Sequence, residues 1–287
     1  MYSLIKRNLY LYFGSLSGIF FSLMGALISF LLYLVFLKQN MLNSWAQVPN
    51  TKILLDPWLI GGTLTVTAIT TTANGLGQMI RDRESGTLAD LSLTKLSFMA
   101  IESSYLCSTV IIGTIMQLIL FFGMNGYFYL TDNFTVSGSI ILLVSGLAVL
   151  SSIVWTTFNL LLFSFLKSTD SLGKISTILG TAAGFFAGVY LPIGMIPNHA
   201  QNLVQWTPAP YNAALYRQIL MHDSLASSFS GIPAAIVKQF KETMGITLKN
   251  GMNLKQNLYF LAIFTFVFLG LTFLGSSLSR RAVLDKI

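Results

Sequence analysis

The apolar residues of this chain are gathered into blocks long enough to cross a bilayer, near 14–37, 58–80, 104–130, 138–166, 171–191 and 257–279. A hydrocarbon core about 30 Å thick takes about 20 helical residues, and each block meets that length. None carries Asp, Glu or Arg in its apolar interior, and Lys174 sits one turn from a block end, where its ammonium can snorkel. The blocks are apolar all round, whereas a soluble bundle needs a stripe on each helix. Charged residues make up only 9% of the chain, against about a quarter in soluble domains, and the mean hydropathy is +0.70. Residues 1–287 therefore read as a single all-α integral membrane domain of six transmembrane helices.

Charge sets the expected orientation. Lys and Arg exceed Asp and Glu by 17 − 10 = 7, and in a membrane protein such an excess marks cytoplasmic flanks rather than nucleic-acid binding. With the N-terminus inside, the inner flanks hold Lys6, Arg7, Arg81, Arg83, Lys95, Lys167, Lys174, Arg280, Arg281 and Lys286. The short outer loops hold only Lys38 and Lys52. Both termini are expected in the cytoplasm of a cell, most simply a bacterial one, with the protein multi-pass in the plasma membrane. Residues 1–12 place Ser3, Lys6 and Arg7 on one helical face against Ile5, Leu9 and Tyr12, the pattern of an interfacial helix or of a charged first turn. Residues 192–256 form a long outer segment with short amphipathic stretches near 198–206, 211–221 and 234–244. Trp45, Trp58 and Trp206 fall where an outer aromatic belt is expected.

Several chemistries are excluded. With no ionisable group at depth in the spans, a proton relay or voltage sensor has nothing to work with. His199 and His222 both lie in the outer segment, without a metal-binding pair or a nucleophile beside them. Cys107 is the single cysteine, so no intrachain disulfide forms. Gly173-Lys174 has the ending of a phosphate-binding loop, but Ser168 stands where that loop needs glycine. No catalytic residue, metal site or cofactor is therefore assigned to the chain, and energy for transport must come from a partner.

Three stretches remain informative. After the second block runs Arg81-Asp82-Arg83-Glu84-Ser85-Gly86-Thr87-Leu88-Ala89-Asp90-Leu91, where Ser85 or Thr87 can cap a short helix with Leu88 and Leu91 on one face. Spacing alone leaves open a partner-docking helix or a solvated loop. After the fifth block runs a segment from Gly188 through Pro192, Gly194 and Pro197 to Trp206, Pro208, Tyr211 and Arg217. Within that block Gly180, Gly184 and Gly188 repeat every fourth residue, a smooth ridge for close helix approach, either within one chain or at a seam between chains.

Taken with the order of the blocks, these stretches resemble the membrane subunit of an ABC-2 type exporter over nearly the whole chain. The resemblance implies that residues 82–91 form a coupling helix, with Arg81, Arg83, Glu84, Gly86, Thr87 and Leu88 contacting a separate ATP-binding subunit. It implies that Pro192, Gly194, Pro197, Trp206, Pro208 and Tyr211 form a turn and short helices re-entering the outer leaflet as a gate. It further implies two ATP-binding subunits, which hold the ATP and Mg, and a second permease copy, identical or related, with the glycine ridge near the seam between them. The expected activity is outward movement of a hydrophobic or amphipathic molecule, such as a drug, a lipid-linked molecule or a membrane-active peptide, by alternating access. An autonomous channel or secondary transporter, or a non-transporting immunity or scaffold protein, is the competing expectation.

Overall fold

The computed structural model describes residues 1–248 and 251–284, with side chains described to residue 272. Its described residues form helices and no strands. In chain order these are α1 (Tyr2–Phe13), α2 (Leu16–Leu32), a π-helical turn (Tyr33–Leu37), α3 (Lys38–Ser44), α4 (Thr51–Glu84), α5 (Thr87–Ser92), α6 (Phe98–Asp132), α7 (Gly138–Phe163) and α8 (Thr169–Phe186). A 3₁₀ turn (Ile193–Met195) leads to α9 (Asn198–Gln205), α10 (Ala209–Leu220), α11 (His222–Ser228), α12 (Ala234–Thr243) and α13 (Leu254–Leu284).

Helix α4 is the axis of the fold. It packs against α2, α6, α7, α8 and α10, and nearly every side chain from Leu54 to Ile80 is buried. So complete a burial tolerates threonines because a helical hydroxyl can bond its own preceding turn. Thr63 donates to the Leu59 carbonyl at 2.8 Å, Thr67 to Thr63 at 2.8 Å and Thr71 to Thr67 at 2.6 Å. The main apolar core gathers around α4, from Tyr33 and Trp58 through Phe121 and Phe128 to Tyr216.

Among the described residues, five helical stretches are long and apolar enough to cross a membrane: Leu16–Ser44, Thr51–Glu84, Phe98–Asp132, Gly138–Phe163 and Leu254–Thr272. The block expected at 171–191 is α8, 18 residues long and not among them. Its first turns carry Asp170, Ser171, Lys174, Ser176 and Thr177, and it stops at Phe186 because the chain reverses there. Gly188 takes φ +63°, and the Val189 and Gly188 amides bond the Gly184 and Phe185 carbonyls at 2.9 and 3.0 Å, a Schellman ending. Helices α4, α6 and α13 outrun their expected ends, α4 starting at Thr51 rather than 58 and α6 covering Phe98–Asp132 rather than 104–130, whereas α7 ends at Phe163 rather than 166. Apolar counting misses those extensions because charges interrupt them, Lys52 and Asp56 at the start of α4 and Glu102 at the start of α6.

Candidate functional site

The stretch expected to be one helix over residues 82–91 is divided. Arg81, Asp82, Arg83 and Glu84 are the last turn of α4, and α5 begins only at Thr87, after Gly86 at φ +81°. That left-handed conformation is open to glycine at little cost, and a Cβ there would meet nothing within 4 Å, so backbone geometry alone makes the position favour glycine. Leu88 and Leu91 share a face as expected. That face is turned inward, half-buried against the cluster of Leu4, Leu76, Ile80 and Phe163. Ala89, Asp90 and Ser92 are left exposed on the other side.

The end of α4 is tied to three other elements. Asp82, buried, accepts from Arg7 Nη1 and Nη2 of α1 at 2.7 and 3.0 Å, from the Tyr105 hydroxyl of α6 at 2.5 Å and from Gln78 at 2.8 Å. The hydrogen-bonded Asp82 carboxylate holds the Arg7 pKa above its ordinary value despite partial burial, so the pair stays ionised. Arg83 donates to the Leu166 carbonyl at 3.1 Å, and Glu84 Oε2 accepts the Thr169 amide at 3.0 Å in the first turn of α8. Arg81 bonds Gln78 at 3.0 Å. The side chains of Arg81, Arg83 and Glu84 are thus exposed yet engaged within the chain. Asp82 and its partners Arg7 and Tyr105 were not singled out by sequence, because a contact between residues 7, 82 and 105 has no local spacing.

At the far end of α4 the organising residue is Arg217. It is fully buried and has no carboxylate partner among the described residues. Its Nη2 donates to the Ala187 and Gly188 carbonyls, both at 3.0 Å, Nη1 to Gly245 at 3.4 Å and Nε to Trp58 at 3.3 Å. Its guanidinium carbon lies 4.7 Å from the centroid of the Trp58 ring. Residues 187–188 end α8 and Gly245 ends α12, both at positive-φ glycines, so the cation sits at two helix C-termini where the dipoles favour positive charge. Burial lowers its pKa to about 9, which leaves it charged at neutral pH. Close approach requires small residues: a Cβ on Gly62 would come 2.9 Å from Arg217 Nη2, and one on Gly61 3.0 Å from its backbone nitrogen.

Pro192 is buried ahead of the 3₁₀ turn, and a Cβ on Gly194 would clash with the backbone of Thr243. Pro197 precedes α9, and Pro208 precedes α10. Tyr211 donates to the Gln205 carbonyl at 3.0 Å and stacks on Phe260 of α13, centroids 4.9 Å apart. Trp206 is 82% exposed, whereas Trp45 and Trp58 are buried, a correction to the aromatic-belt expectation. Trp58 donates to the Met244 carbonyl at 2.7 Å. Helix α10 is buried along almost its whole length, which the amphipathic reading of 211–221 did not anticipate.

Gly180, Gly184 and Gly188 meet different surroundings. A Cβ on Gly180 would meet nothing within 4 Å, one on Gly184 would enter the ring of Tyr190, and one on Gly188 would come 2.7 Å from Ile193. Only Gly180 presents an open surface. Below Arg217, Tyr216 donates to Gln117 Oε1 at 2.7 Å, and Gln117 donates to Ser152 at 2.8 Å, linking α10 to α6 and α7. The expectation of a charge-free interior is corrected by Arg217 and by Asp56 of α4, both at 0% exposure. An apolar cavity of about 90 Å³ lies between Ile69, Trp155, Phe158, Leu179, Ala183 and Phe186. It is smaller than a site for a drug-sized molecule, which takes about 300 Å³ or more.

Residues 1–221 match the family model described as ABC-2 type transporter. No individual curated protein matches the chain.

Proposed function

The chain belongs to the ABC-2 type transporter family, and from that premise we propose that it is the permease half of an ATP-driven exporter. It is a membrane-embedded, multi-pass transport subunit whose family works with an ABC ATP-binding subunit. In our reading two permease chains, identical or related, assemble with two copies of that subunit, which bind the ATP and Mg. α8 serves as a sixth span, both termini lie in the cytoplasm of a bacterial cell, and the 3₁₀ turn with α9 and α10 re-enters the outer leaflet. The cargo is hydrophobic or amphipathic. Its path runs between permease copies.

The observation that carries this reading is the attachment of α5. A short helix with an exposed Ala89–Asp90 face follows the central helix after only Ser85 and Gly86, and the end of that central helix is fixed to α1, α6 and α8 by Asp82 and Glu84. Force applied at α5 by a partner is delivered to the axis of the bundle rather than dissipated in a loop. The test is co-purification of the ATP-binding subunit with the wild-type chain and with Gly86→Trp and Asp90→Arg. Membrane insertion of all three with loss of the partner, or of transport, only in the variants is the expected result. Normal assembly and transport in both variants overturns docking at α5.

A further inference from the structure

At the end of α4 opposite Asp82 lies a second charged cluster. Lys38, the first residue of α3, places Nζ 2.9 Å from Asp56 Oδ1 of α4 and 2.7 Å from Asp132 Oδ2, the last residue of α6. It also lies 5.3 Å from the centroid of the Phe128 ring. Lys52, at the start of α4, pairs with the other oxygen of Asp132. Two lysines and two aspartates leave the cluster neutral but unevenly shared. Asp132 has both lysines, whereas Asp56, fully buried, has only Lys38.

Three further observations mark this cluster as an arrangement that can be left. Asp56 Oδ2 and the Tyr33 hydroxyl are both buried without a hydrogen-bond partner, although buried polar groups in a permanent structural cluster are normally satisfied. The Tyr33 ring lies beside that of Trp58, two residues on from Asp56, with centroids 6.3 Å apart. Between Tyr33 and Lys38 the helix is a π-helical turn, Tyr33–Leu37, the kind of irregularity that recurs at functional positions. Finally, the outward side of α2 is unpacked: only Ser22, Ala26 and Ser29 are buried on it, and Phe20, Phe21, Leu31, Val35 and Phe36 face outward, while Tyr33, Met41 and Trp45 seat the π-helical turn and α3 in the core, so that loss of the Lys38 pairs leaves α3 to shift about those three contacts.

We infer that Lys38 is a positioning residue, a releasable staple that joins α3 to α4 and α6 in this state and lets go of Asp56 during the transport cycle. Release leaves Asp132 compensated by Lys52 and admits water to Asp56 and Tyr33, whose unpartnered atoms it then satisfies. The part of the inference that concerns the cycle rests on the exporter reading; the staple itself does not.

The experiment is a spin-label distance measurement on the full chain in lipid nanodiscs, in a Cys107→Ser background with Ser44→Cys on α3 and Leu130→Cys on α6. One short distance is expected with native Lys38 and with Lys38→Arg, and a second, longer population with Lys38→Met. Lys38→Met/Asp56→Asn, which removes the buried charge along with its partner, is expected to keep the native thermal midpoint while showing the longer distance. A single short distance in both Met-containing variants overturns the staple, and so does a Lys38→Met distribution that cannot be told from Lys38→Arg. With the ATP-binding subunit and ATP added, the longer population is expected with native Lys38 as well. Its absence while ATP is hydrolysed overturns release in the cycle, whereas absence of assembly or hydrolysis overturns the exporter reading and leaves the variant distances standing.

Discussion

Arg7 and Asp82 lie 75 residues apart in the chain, yet the guanidinium of one grips both oxygens of the other, at 2.7 and 3.0 Å. The pair fastens the N-terminal helix α1 to the last turn of α4, five residues before α5 begins. An arginine fork on a carboxylate is among the stronger side-chain contacts, because two parallel charged hydrogen bonds fix geometry as well as charge. Asp82 is buried while Arg7 is one-third exposed, so solvent screens part of the attraction.

A double-mutant cycle with Arg7→Met and Asp82→Asn is expected to show a coupling of about 2 kcal/mol. Thermal or denaturant unfolding of the purified chain in detergent measures it. Additive effects of the two changes mean that Tyr105 and Gln78 hold Asp82 and that Arg7 is incidental. ATP hydrolysis by the assembled complex is expected to persist in Asp82→Asn with weaker stimulation by cargo, because the link from α5 to α1 is loosened rather than the ATPase altered.

Arg217→Lys is expected to be a severe change despite keeping the charge. A lysine ammonium is a single point and cannot reach the carbonyls of Ala187, Gly188, Gly245 and Trp58 together, so acceptors at two helix ends lose their donor. The cost is about 3 kcal/mol, because hydrogen bonds from a charged donor are worth about 1.5–3 kcal/mol and the carbonyls left behind are buried. The check is a thermal midpoint lowered by several degrees, together with faster proteolysis at the ends of α8 and α12. A midpoint equal to that of the native chain sinks the view that Arg217 is what joins these ends.

The sequence makes the membrane class and most of the helices plain, because apolar blocks report on lipid without reference to neighbours. It conceals what holds them together. Lys38, Asp56 and Asp132 lie just outside the apolar blocks, in polar turns that extend the helices, and each finds its partner 18 to 94 residues away. Arg217 is harder still: its acceptors are backbone carbonyls, which every residue carries, so no complementary side chain advertises its burial. The glycines show the opposite failure. Spacing presents Gly180, Gly184 and Gly188 as one ridge, but a turn beginning at Ala187 sends the chain back so that Gly184 faces Tyr190 and Gly188 faces Ile193.

Gly86 offers a test in which the side chain itself is nearly irrelevant. Its φ of +81° disfavours residues with a Cβ, by about 1–2 kcal/mol in the left-handed helical region, with asparagine among the best tolerated. Gly86→Asn is expected to keep partner binding close to native, and Gly86→Val to weaken it by tenfold or more by swinging α5 off its seat, with membrane insertion unchanged. Equal affinities for the ATP-binding subunit in a pull-down titration mean that the direction of α5 does not matter to docking.

Gly180 separates packing within the chain from packing between chains. A Cβ there meets nothing within 4 Å, while the Gly180 carbonyl lies 3.4 Å from where a Cβ on Gly25 would stand, so α2 already passes close on the other side. In a single chain, Gly180→Ala is therefore expected to be harmless, or to stabilise by about 0.5–1 kcal/mol through lower backbone entropy in a helix interior. If the open side of Gly180 is where a second copy approaches, a larger residue acts only on that approach. Gly180→Leu is expected to leave the thermal midpoint of the isolated chain within a few degrees while reducing dimer formation, read as mass by light scattering in mild detergent or by subunit exchange in nanodiscs. Gly184→Leu supplies the contrast, since it must displace Tyr190 and is expected to lower the midpoint of the chain itself. A Gly180→Leu chain that dimerises as the native one does places the open side of α8 against lipid, and the seam between copies must then be sought on the apolar face of α2.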